Sequence, residues 1–157
     1  MDMFDSLFSF SSMLNEQVSK ELCGIYADQS TVFVILDDEG NHWTSDEDTY
    51  SRIFSEQPVI DDLRTKIADG YEPVVSQIDD SCIVASQLGT DDVHCGYIFM
   101  ILPGYTADTT LANMDMIELM INQVLLIAGL IDKNNKLHHL YLKQQSHTDI
   151  SSAQSLN

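Results

Sequence analysis

The stretch 73–102, PVVSQIDDSCIVASQLGTDDVHCGYIFMIL, decides the fold class of this 157-residue chain. Three apolar runs, 73–78, 81–88 and 93–102, follow one another across two short polar breaks, Asp79-Asp80 and Gly89 to Asp92. Runs of this length with turn residues between them predict strands. Strands joined so closely pair antiparallel, because a parallel neighbour needs a long crossover. Upstream, TVFVIL at 31–36 reads as a strand covered on both faces. The turn residues DDEGN at 37–41 then return the chain into His42-Trp43-Thr44. Between the hairpin and the three later strands lie two short helices. The first is capped by Ser45 or Asp46 and runs through Phe54. The second spans 59–68, with Ile60, Leu63 and Ile67 on one face and Gly70 as its stop.

Both ends of the chain are helical by their apolar spacing. In residues 2–23, Leu7, Leu14, Val18 and Leu22 recur at helical intervals, with Phe4, Phe8 and Met13 beside them, and Gly24 is a natural stop. After Pro103-Gly104, Asp108 or Thr109 can cap a long helix over 110–143, TLANMDMIELMINQVLLIAGLIDKNNKLHHLYLK. Its middle is apolar nearly all the way round: between Met114 and Ile131 the strongly polar residues are Asp115, Glu118, Asn122 and Gln123. Such a helix must be covered on more than one side. The tail 144–157 is polar and Ser/Gln-rich, and is expected to be disordered. The order helix, two strands, two short helices, three strands, long helix predicts one α+β domain over 1–143.

Seven Lys+Arg against 25 Asp+Glu give a net charge of -18, and no Lys or Arg lies between Lys66 and Lys133. Nucleic acids and anionic membrane surfaces are bound through clustered cations, so neither is an expected partner. The charge reads as solubility and colloidal repulsion. Three cysteines, Cys23, Cys82 and Cys95, form no disulfide ladder and fit a reducing compartment. The opening MDMFDSLFSF carries Asp2 and Asp5 without a basic segment, so it is not read as a signal peptide. The apolar run 114–131 is near spanning length, but its Asp, Glu, Asn and Gln residues argue against lipid. A cytoplasmic location follows as the expectation.

This order of elements resembles a GAF domain, a small sensory module of signalling proteins. The likeness is carried by VFVILDDEGN at 32–41, LRTKIADGYEPVV at 63–75, and CGYIFMILP at 95–103 leading into the terminal helix. The related PAS fold shares the first hairpin, but normally has little N-terminal helix and ends on strands. The resemblance implies a five- or six-stranded antiparallel sheet with the first and last helices packed on one face. Short helices and loops on the other face would form a small-molecule pocket, and the terminal helices would pair between subunits.

The residues also point to a homodimer. The last helix carries two apolar stripes, one of Met114, Ile117, Ile121, Val124, Ala128 and Ile131, the other of Leu119, Leu126 and Leu130. The first stripe, with Leu7, Leu14 and Val18, is the expected dimer interface, and the alternative packs both stripes inside one subunit. Burying five or six such side chains between subunits contributes on the order of 10 kcal/mol gross.

For a small-molecule site the candidates are Trp43, Tyr50, Phe54 and Tyr71, with Arg52 and Arg64, the only two arginines, placed to receive a carboxylate or phosphate. The competing reading is ordinary core for the aromatics and surface ion pairs for the arginines. Among GAF-like enzymes, the free methionine sulfoxide reductases use three cysteines. Here Cys82 and Cys95 fall inside strands with no Lys or Arg near them in sequence, so buried, unreactive thiols are expected. His94-Cys95 has the reverse order of a bilin-attaching pair, and neighbouring strand residues point apart. His138-His139 cannot converge on one metal, and the Asp pairs at 37–38, 61–62, 79–80 and 91–92 lack a calcium-loop spacing. No P-loop, G-x-S-x-G or G-x-G-x-x-G occurs. The expectation is a module without catalysis, metal or cofactor, which either senses a small molecule or serves as a ligand-free adaptor for a partner protein.

Overall fold

The computed structural model describes residues 16–26, 30–55, 57–89 and 94–155. Helix α1 (Glu16–Gly24) leads to strands β1 (Val32–Asp37) and β2 (His42–Thr44). Helices α2 (Glu47–Ile53) and α3 (Gln57–Ala68) precede β3 (Val74–Ile78), β4 (Ser81–Gly89) and β5 (His94–Pro103). The chain then closes with α4 (Ala107–Ala112) and α5 (Met114–Ser155). The five strands form one open antiparallel sheet in the order β2-β1-β5-β4-β3. This is an α+β fold.

Alternation along the strands divides the core into two layers. Phe33, Ile35, Val84, Ile98 and Met100 face one way and meet Leu22 and Cys23 of α1 and Ile117, Ile121, Val124 and Ala128 of α5. Val34, Leu36, Ile83, Phe99 and Ile101 face the other way and meet Ile53, Phe54, Ile60, Leu63 and Ile67 of α2 and α3. Covering both faces explains why β1 reads as an unbroken apolar run rather than an alternating one.

Local chemistry fixes the turns. The Asp37 carboxylate accepts from the backbone N–H groups of Glu39 (2.9 Å) and Asn41 (2.8 Å) and from the Asn41 side chain (2.9 Å), closing the β1–β2 turn. Asp46 caps α2, accepting from the Asp48 and Thr49 N–H groups at 3.1 and 3.2 Å. Those bonds favour its ionised form and hold its pKa below the ordinary 3.8, led by the Thr49 side-chain and backbone donors. Gly96 is required where β5 crosses β1: its φ is +146°, and an added Cβ would lie 2.1 Å from the Leu36 carbonyl oxygen.

At the N-terminal end the expected helix over 2–23 is described only from Glu16; at the C-terminal end three expectations, one helix over 110–143, its cap and a disordered tail, are corrected. Residues 1–15, with Leu7 and Leu14, lie outside the described residues, as does the Val18 side chain. The single helix over 110–143 is two helices. Its first cap is Thr106, whose hydroxyl accepts from the Thr109 N–H at 3.1 Å, rather than Asp108 or Thr109. Asn113 ends α4, with its side-chain amide donating to the Thr109 carbonyl at 2.8 Å, and its own carbonyl accepts from Ile117 to begin α5. The tail expected to be disordered continues α5 as far as Ser155. No Gly or Pro interrupts the helix after Gly129, and bonds such as Gln145 Nε2 to the Tyr141 hydroxyl (2.8 Å) lie along its surface.

Candidate functional site

Helix α5 presents two opposed apolar faces. Ile117, Ile121, Val124 and Ala128 are at most 3 % exposed, and Met114 and Ile131 are half-buried against the same layer. The stripe expected at a dimer interface is therefore the helix face seated on its own sheet. A side chain already enclosed by Phe33, Ile98 and Met100 has no surface left to offer a second subunit. The open face is the other stripe, wider than the sequence reading had it: Met116, Leu119, Leu126, Leu130, Leu137 and Leu140 are 50 to 66 % exposed. Tyr141 flanks it, whereas exposed Leu142 prolongs the opposite, Val124 side of the helix beyond the sheet. Past Ile131 the described side chains no longer join the core, so the second half of the helix runs on without support from the sheet. Among the described residues nothing covers this apolar face, which makes it the candidate interaction surface of the chain.

The sheet separates the expected small-molecule residues. Trp43 pairs with Ile35 in the β1–β2 register and so lies on the α1/α5 side, where its carbonyl accepts from the Cys23 thiol at 3.3 Å. Tyr50 and Phe54 lie on the opposite side, in a continuous line of rings. His42 stacks on Tyr50 with centroids 3.9 Å apart, and Phe54 follows at 5.1 Å. Phe99 lies 5.5 Å beyond it, and Tyr97 6.3 Å beyond Phe99. The Arg64 guanidinium sits 5.2 Å from the Tyr97 ring centroid, a cation–π contact that closes the far end. Three of the six candidates, Tyr50, Phe54 and Arg64, thus belong to one face.

Arg52 is held elsewhere, 3.0 Å from the Asp80 carboxylate. That contact is the largest reason the Asp80 pKa lies below its usual value. Tyr71 projects into solvent beside an open 270 Å³ depression lined by Lys66, Tyr71, Pro73, Val74 and Val75. The residues that sequence reasoning missed are His42, Tyr97 and Phe99. His42 and Tyr97 both occupy the face of Leu36 in the strand registers, a placement that periodicity within one segment does not reveal.

Tyr50 also titrates above its ordinary 10, first through burial and then through the nearby Glu47 charge. The Glu47 carboxylate lies 2.8 Å from His42 Nε2. Cys23 is buried, and desolvation raises its pKa to about 12 despite a backbone hydrogen bond that lowers it. Cys82 is buried as well, and the side chain of Cys95 lies outside the described residues. Among the described residues no group of three or more His, Cys, Asp or Glu side chains is arranged to hold a metal ion. No protein-family model, curated protein or solved structure matches the chain.

Proposed function

We propose that this chain is a non-catalytic, homodimeric regulatory module of the GAF-like class. In this reading it takes a small molecule at the aromatic face of α2 and α3 and passes the change through α5. The single observation that carries the reading is the double commitment of α5. Its Ile117–Ala128 face is part of the domain core, and its Leu119–Leu140 face is open for a partner. A helix shared by the core and an interface couples the two mechanically, because a packed core switches between discrete arrangements rather than deforming smoothly.

The line from His42 to Arg64 supports the input side. Phe54 and Phe99 are buried within it, so a ligand would meet its half-buried rim of His42, Tyr50, Tyr97 and Arg64, aromatic surfaces with a cationic group at one end that suit an aromatic or anionic molecule. The reductase alternative is disfavoured by Cys23, whose thiol stays protonated at neutral pH and is enclosed by α1 and β2. By length and composition α5 is apolar enough to cross a membrane. A helix with one face inside a folded core is not free to be surrounded by lipid, so the proposal places the protein in the cytoplasm with no membrane or nucleic-acid partner.

Native mass spectrometry of the purified chain tests the proposal. A dimer at micromolar concentration with a retained small-molecule mass is the expected result, and that mass should be lost in Tyr50→Ala. A dimer that never retains or takes up extra mass would make the protein a ligand-free adaptor. A monomer at that concentration would refute the homodimer.

A further inference from the structure

The open face of α5 has a regular spacing that says how a second copy would lie on it. Met116, Leu119, Gln123, Leu126, Leu130, Lys133, Leu137 and Leu140 follow one another at alternating intervals of three and four residues. That is the a/d pattern of a left-handed coiled coil, and six of the eight positions are apolar. The pattern is also a palindrome. Reversing the helix about Ala128 places Met116 on Leu140, Leu119 on Leu137, Gln123 on Lys133, and Leu126 on Leu130. The two polar positions meet each other and no apolar layer is broken.

We infer that two copies of this chain dock through α5 as an antiparallel pair in this register. The inference rests on the homodimer proposed above and adds its orientation. Electrostatics selects the direction. Parallel helices would set Lys133 against Lys133 of the second copy inside the seam, a like-charge contact removed from water. In the antiparallel pair the Lys133 ammonium instead meets the Gln123 side-chain carbonyl. That oxygen already accepts from the Tyr26 hydroxyl and has a second lone pair to offer.

Size and stability point the same way. Six side chains about half exposed offer on the order of 600 Å² per copy, so the pair would cover about 1,200 Å², the lower end of stable interfaces. A helix continuing some two dozen residues past its last core contact is marginal alone in water. In the antiparallel pair the first part of that half, residues 130–140, lies along Met116–Leu126 of the other copy. The sheets do not collide, because Ile117, Val124 and Ala128 hold each sheet on the face of α5 opposite the seam.

Cross-linking of the full-length chain separates the arrangements. Equal amounts of Met116→Cys and Leu140→Cys chains are mixed and mildly oxidised, with the wild-type chain reporting background from the native cysteines. Both substituted residues are exposed, so the variants should fold, which circular dichroism checks. The expected product is the mixed 116–140 disulfide, several-fold above either self-linked species. Spin labels at position 140 should read about 36 Å apart, twelve residues of rise on each side of the axis, against about 10 Å for parallel neighbours. Efficient 140–140 and 116–116 self-linking with the short distance would overturn the antiparallel register and leave the homodimer standing. A monomer without cross-links above background would overturn both. If that monomer floats with phosphatidylcholine vesicles, lipid covers the stripe. If it does not, the chain's own apolar segment 1–15 becomes the occupant to pursue.

Discussion

The two faces of α5 are close in composition and opposite in circumstance. Ile117, Ile121, Val124 and Ala128 fill the layer above Phe33, Ile35 and Met100, while Leu119, Leu126, Leu130 and Leu137 stand in solvent a half-turn away. Hydrophobicity alone does not distinguish them. What differs is the surface each one meets, and therefore what a substitution on each face disturbs: folding on one side and, in the proposed dimer, association on the other.

The sharpest break in that comparison is a charge on each face. Val124→Asp places a carboxylate where nothing can solvate or pair it, and should leave the chain largely unfolded by circular dichroism at 25 °C. Leu126→Asp should keep a wild-type spectrum and instead weaken the dimer by at least about a hundredfold in sedimentation, near 3 kcal/mol. Equal unfolding by both would erase the distinction.

A milder pair measures its size. Ile121→Ala should lower unfolding free energy by about 2–5 kcal/mol, the usual cost of an aliphatic cavity. Under dilute conditions that keep the chain monomeric, Leu130→Ala should shift it by less than about 0.5 kcal/mol. A cost above 2 kcal/mol in the monomer would mean that Leu130 packs inside the subunit.

Salt tests the association face by itself. Two copies of net charge -18 repel over tens of ångströms at low ionic strength, and added salt screens that repulsion without touching apolar contacts. Raising NaCl from 20 to 300 mM should therefore tighten the dimer by about tenfold. A dimer that weakens with salt would require ion pairs at its centre.

The smallest effect concerns the opposite side of the sheet. Asp46 and Asp80 both have folded-state pKa values below the ordinary 3.8, through the Thr49 donors and the Arg52 guanidinium respectively. Their stabilisation is complete above that ordinary value and is lost as pH falls through the lower folded values. Denaturant midpoints should drop below pH 4, and less steeply in Asp46→Asn, which keeps a cap acceptor but has no carboxylate to protonate. An unchanged acid slope would remove Asp46 from the account.

Much of the fold was legible in the residues. The runs 31–36, 73–78, 81–88 and 93–102 became strands within a residue or two, because β-branched apolar segments between turn residues have few alternatives. Pro58 and Gly70 framed α3 for equally local reasons. The ends were less legible. Asn113 divides α4 from α5 with a side-chain bond to Thr109, a contact that apolar periodicity does not register. The candidate site was half legible. Tyr50, Phe54 and Arg64 do share a face, but Trp43 falls behind the sheet, since its side is set by pairing with Ile35. A one-residue change in that hairpin register would have put Trp43 beside Tyr50.

The sequence by itself determined the strands and the two short helices between them, that the strands pair antiparallel, and that the last helix carries two apolar stripes. Those are consequences of local sterics and of apolar spacing along one chain. Only the tertiary structure decided which of the two stripes of α5 the sheet takes. Periodicity fixes the angle between two stripes on a helix, whereas the rotation of the whole helix about its axis is fixed by what packs against it. Here the shape of the layer formed by Phe33, Ile35, Ile98 and Met100 receives Ile117, Val124 and Ala128, and leaves the leucine seam facing outward.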